Sequence, residues 1–107
     1  DFTSATAGVI QDTIKGFGLA GVQDVNYLEG AGGTTYATAL AEANAAFALP
    51  GTNTQYFLAS YGADVAFNAV LFIDLGSTGT AQGAIEIGSY ADAVDALNSF
   101  EADNILA

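Results

Sequence analysis

Residues 36–49 read "YATALAEANAAFAL", and this stretch decides how the rest of the chain is to be arranged. Tyr36, Leu40, Ala43 and Phe47 recur at helical spacing, and strong helix formers fill the positions between them. Thr35 is a candidate N-cap, and Pro50 with Gly51 ends the run. The pattern predicts a helix over about 35–48 that lays one apolar stripe on a sheet. Strands must then lie on either side of it. Upstream, "VIQDTI" at 9–14 and "VQDVNYL" at 22–28 read as short extended segments, separated by a turn at Gly16 and Gly18. Downstream, "TQYFLASYG" at 54–62 and "AVLFIDL" at 69–75 are rich in aromatic and branched residues, with a turn at "GAD" between them. A loop over 76–83 leads into "AIEIG" at 84–88, where Ile85 and Ile87 share one face and Glu86 takes the other. Tyr90, Val94 and Leu97 return to helical spacing, with Ser89 as the cap, and predict a short C-terminal helix. The expected fold is α+β: a small antiparallel β-sheet, one main helix packed on it, and the short helix at the end. Residues 1–107 are expected to form a single domain, a fragment of a larger protein.

Charge sets the limits on partners. Twelve acids face one base, Lys15, for a net charge of -11, although 51% of the residues are apolar. The apolar share suffices for a core, while the charge opposes compaction unless cations or acid relieve it. Without clustered Lys and Arg, nucleic acid and an anionic membrane surface are poor partners. No apolar run approaches the twenty residues of a membrane span, so no membrane insertion is expected. Histidine and cysteine are absent, which removes disulfides, thiolate nucleophiles and the usual acid–base pairs. Lys15 reads as a surface lysine. Gly16 and Gly18 lack the later glycines and the Lys-Ser/Thr pair of a phosphate loop. The chain reads as non-catalytic.

Hard-cation binding is the chemistry that the residue set permits. Calcium needs six to eight oxygens from carboxylates, amides and carbonyls. The candidates are Asp12, Asp24 with Asn26 and Glu29, Asp64 beside a glycine, and Asp74 at a strand end. None forms an EF-hand loop, which requires acids at alternating positions. For Asp74 the competing reading is a carboxylate that caps its own turn. A saccharide- or peptide-binding module would need an exposed aromatic cluster. Tyr27, Tyr56, Tyr61 and Tyr90 are the candidates, against the commoner role of such residues in a core.

Three stretches carry a resemblance. They are "DTIKGFGLAGVQDV" with Asp12, Ile14, Gly16, Phe17, Gly21 and Asp24; "NAVLFIDLGSTGTAQGAIEIG"; and the ending "FEADNILA". Together they resemble the C-terminal region of RTX-type calcium-binding proteins exported by bacterial type I secretion. In the middle stretch, Val70 to Asp74 match the first limb of that family's hairpin, and Ala84, Ile85, Ile87 and Gly88 match the second. The chain departs from the family in two places. The glycine-rich calcium nonapeptide has no copy here, and Gly76 to Thr80 carry no carboxylate where relatives often have an acidic loop.

The resemblance implies a bacterial protein, secreted or held at the cell surface. It implies a module that caps the preceding repeats of the same chain and carries an uncleaved export signal over 90–107. Phe100, Glu101, Asp103, Asn104, Ile105, Leu106 and Ala107 would then be what a type I secretion transporter reads, with calcium as the family's cofactor. The alternative is a structural or adhesive domain of a cell-surface or surface-layer protein with no export role.

Overall fold

The computed structural model describes residues 13–107. The strand expected at 9–14 falls almost wholly outside them, as does Asp12. The expected second strand is shorter than its pattern: residues 22–26 make a turn, and strand β1 spans Tyr27–Ala31. Asn26 causes the difference. Its Oδ1 accepts the Val22 N–H at 2.7 Å and its Nδ2 donates to the Ala20 carbonyl at 2.9 Å. The side chain thus replaces ladder bonds with local ones, and Asp24 takes a left-handed φ of 62°.

Helix α1 spans Tyr36–Ala48, as the sequence pattern requires. Thr35 and Thr38 form a reciprocal cap: the Thr38 N–H donates to Thr35 Oγ1 at 3.2 Å, and the Thr35 N–H to Thr38 Oγ1 at 3.1 Å. Leu49 and Pro50 end the helix. Strands β2 (Tyr56–Ala63), β3 (Ala66–Ile73) and β4 (Gly83–Tyr90) follow, and the sheet order is β1-β2-β3-β4. The pairs β2–β3 and β3–β4 are antiparallel, but β1 and β2 are parallel. The expected α+β sheet is present, antiparallel through β2, β3 and β4, and β1 is added to it in parallel because of the helix itself. An intervening helix returns the chain to the end of the sheet where β1 began, so β2 must run alongside β1. Asp64 and Val65 make the tight β2–β3 connection, with Asp64 at a φ of 57°.

Helix α2 covers Ala93–Asn98, and its cap is Asp92 rather than Ser89. Asp92 Oδ1 accepts the Asp95 N–H at 2.8 Å, while the Ser89 hydroxyl stays in β4 and donates to Asn68 Oδ1 at 2.8 Å. In this helix Ala96 is buried and Val94, expected on the apolar stripe, faces solvent. A 3₁₀ turn at Ala102–Asn104 completes the described elements. No helix among the described residues is long and apolar enough to cross a membrane.

Two cores result, one on each face of the sheet. On one side Ala39, Ala43, Ala46 and Phe47 of α1 meet Phe57, Ala59, Val70 and Phe72. Small helix residues bring the backbones close. A Cβ on Gly32 would lie 2.6 Å from that of Ala39 and 2.8 Å from the Ser60 carbonyl oxygen. On the other side Tyr27, Tyr56, Leu58, Leu71 and Ile87 are covered by Ala96, Phe100, Ala102 and Ile105, with Ile14, Phe17 and Leu19 packed against them. Phe100, Ala102 and Ile105 of the tail thus roof the second core.

Candidate functional site

The residues expected to form an export signal gather where that roof meets β1. Phe100, Asn104 and Ile105 are buried, Glu101 is half-buried, and Asp103, Leu106 and Ala107 are exposed. The tail is held by backbone bonds to the first described residues. The Ile14 N–H donates to the Asn104 carbonyl at 2.7 Å, the Leu106 N–H to the Ile14 carbonyl at 2.8 Å, and the Gly21 N–H to the Ile105 carbonyl at 3.1 Å. Gly21 has to be a glycine for this contact, since a Cβ there would come within 2.5 Å of the Ala102 carbonyl oxygen. The Asn104 amide closes the turn by accepting the Glu101 N–H at 2.7 Å.

Tyr27 lies beneath this tail, fully buried, with its ring 6.3 Å from that of Phe100. Its phenol oxygen is 2.8 Å from Glu29 Oε2 and 3.4 Å from the Phe100 carbonyl oxygen. A phenol has one proton to donate, so it cannot serve both acceptors. With Glu29 ionised, the proton goes to the carboxylate. With Glu29 protonated, the carboxyl can donate to the phenol, and the phenol proton can turn to the tail carbonyl. Burial, aided by the charge of Glu29, pushes the Tyr27 phenol upward and keeps it protonated. Burial also raises Glu29 to about 7; the Tyr27 hydrogen bond opposes the rise, and the charge of Glu101 adds to it. Glu101 is raised by burial and by Asp103. Gln23, Glu101, Ala102 and Asp103 line a shallow cleft of about 170 Å³ on the outside of this cluster.

The sign of the pH dependence follows. Between about 4.5 and 7 the unfolded chain releases the Glu29 proton while the folded chain keeps it, so stability falls as pH rises through that window. Glu101 and Glu86 are also raised, and act in the same direction. Glu29→Gln is expected to match the parent at pH 4 and to melt at a higher temperature at pH 8. Parallel thermal melts across that range would show it, and identical curves at both ends would rule out Glu29 as the source.

The calcium candidates occupy separate features. Asp24 is in the 22–26 turn, Asn26 spends its amide on the backbone, Glu29 pairs with Tyr27, and Asp64 sits in the β2–β3 turn. Asp74 is buried and caps its own loop: Oδ1 accepts from the Thr78 N–H and hydroxyl, and Oδ2 from the Gly79 N–H, each at 2.9 Å. Among the described residues no three carboxylates come together in a way that could hold a metal ion.

The aromatic candidates also divide. Tyr27 and Tyr56 are buried, while Tyr61 and Tyr90 are half-buried. Sequence reasoning missed Tyr36, because its helical spacing with Leu40 and Phe47 assigned it to the core stripe. It is the first residue of α1, is 43% exposed, and lies edge-on to Tyr61 with ring centres 6.0 Å apart. No family model, curated protein or solved structure matches this chain.

Proposed function

We propose that this chain is a non-catalytic C-terminal module of a secreted RTX-like protein, capping the preceding repeats and carrying an uncleaved type I export signal at 90–107. One observation supports the reading above the others. The stretches that carry the resemblance are far apart in sequence, yet they form one contiguous unit: Ile14 and Gly21 bond to Asn104 and Ile105, and Ile87 of the hairpin shares a core with Phe100 and Ile105. In this reading calcium belongs to the preceding repeats, and the acidic surface suits an exterior rich in cations. Type I export delivers an unfolded chain, so the tail would be read before it docks.

Burial of Phe100, Asn104 and Ile105 favours the second reading, a structural or adhesive surface domain without export information. Fusing the chain to an inert passenger beside a type I transporter separates the two. Deleting 103–107 is expected to abolish export. Ile14→Asp, which undocks the tail and leaves its sequence intact, is expected to preserve it. Export that survives the deletion would favour the structural reading.

A further inference from the structure

Helix α1 covers only part of its face of the sheet. It lies over β1 and β2, and its side chains reach as far as Val70 and Phe72 of β3. Directly paired residues of antiparallel strands point to the same face. Ala84 and Glu86 of β4 therefore share the helix side with their partners Phe72 and Val70, and both are exposed. Between the start of the helix and this edge strand runs a trough of about 200 Å³. Tyr36, Leu40 and Phe72 line it together with residues 81–84.

The lining has a definite chemistry. The Tyr36 ring is fixed by two others, edge-on to Tyr61 and 5.5 Å from Phe72, yet much of it remains open to solvent. Beside it the Tyr61 hydroxyl lies 3.5 Å from Glu86 Oε2. The Gln82 Oε1 accepts the Gly76 N–H at 2.8 Å, which leaves its amide N–H₂ to donate. The trough itself thus carries one rigid aromatic surface and one amide, and the Tyr61–Glu86 pair lies beside Tyr36, next to the lining residues.

We infer that this trough is a binding site for a neutral saccharide. The C–H face of a pyranose is weakly positive and packs on the electron-rich face of an aromatic ring. Its hydroxyls both donate and accept, and so match the Gln82 amide in the trough and the Glu86 carboxylate beside Tyr61. An anionic ligand has no counter-charge in the trough. A quaternary cation would need several ring faces turned toward it, whereas of the two aromatic rings that line the trough Tyr36 is exposed and Phe72 is buried. Burial and the neighbouring Glu86 raise the Tyr61 phenol, while burial raises Glu86 against the opposing hydrogen bond from Tyr61, as their close approach requires.

The test is a titration of the isotope-labelled 107-residue chain followed by amide NMR. The probes are N-acetylglucosamine, methyl glucoside and cellotriose, with glucuronate and choline as charged counterparts. At least one neutral probe is expected to give saturable shifts confined to residues around 36, 61, 72 and 82–86. Tyr36→Ala, with the spectrum of a folded protein, should weaken that binding about tenfold or more, and Tyr36→Phe should retain most of it. The inference is overturned if no neutral probe shifts these residues at millimolar concentration, or if Tyr36→Ala leaves binding intact. Saturation by choline instead would overturn it in favour of a cation site. Shifts that depend on protein concentration alone would assign the face to a second copy of the chain.

Discussion

Phe100→Ala is expected to remove about 3–5 kcal/mol of folding free energy. The side chain is fully buried, and it packs in one cluster with Tyr27, Leu58, Leu71 and Ile87. A cavity there would lie between the sheet and the tail, where the roof consists of short elements held by few backbone bonds. A domain of this size has about 5–15 kcal/mol in total, so the variant should unfold at a far lower denaturant concentration. Val94→Ala, only a few residues away but solvent-facing, should shift stability by no more than about 0.5 kcal/mol. Urea unfolding followed by circular dichroism compares the two. Equal midpoints would mean that the tail adds nothing to the core, and the structural reading of residues 100–105 would fall with it.

Asp74→Ala is expected to cost about 3 kcal/mol, because it strips the acceptor from two backbone N–H groups and a hydroxyl at a buried site. Asp74→Asn should be nearly as damaging. It keeps one acceptor and turns a second N–H donor toward a group that is already a donor. The loop that Asp74 organises also anchors to α1, through the Ala81 N–H donating to Asn44 Oδ1 at 2.7 Å. Amide exchange at Thr78, Gly79 and Ala81 should accelerate together in either variant. If only the first two respond, the loop is held to the helix independently of the carboxylate.

How far the sequence discloses this molecule depends on the range of the interaction. Helix α1 was legible because its signals are local: an alanine-rich run, a threonine cap and a proline stop. The β3–β4 hairpin was legible for the same reason, as was the capping reading of Asp74. Local signals also misled. Ser89 and Asp92 are equally good caps by residue type, and only the pairing of Ser89 with Asn68 across the sheet decides between them. Asn26 lies in a strand-like pattern, yet its amide folds the backbone into a turn. The site itself was the least legible part. Glu29 and Glu101 influence one another across a long stretch of sequence, and nothing near either residue announces it. Tyr36 fits a core stripe by spacing, and its exposure follows from where the helix starts over the sheet.

The pairing of Ile14 with Ile105 is parallel. A pull toward the N-terminal side at Ile14 and one toward the C-terminal side at Ile105 therefore act on this short ladder in opposite directions. Tension applied across the domain would draw the paired segments at Ile14 and Ile105 past one another along their length. The bonds of Ile14 to Asn104 and Leu106, with that of Gly21 to Ile105, would then bear load side by side rather than peel apart in turn. In mechanical terms the tail and the first described residues form a clasp loaded in shear, with Phe100 and Ile105 anchoring it in the core.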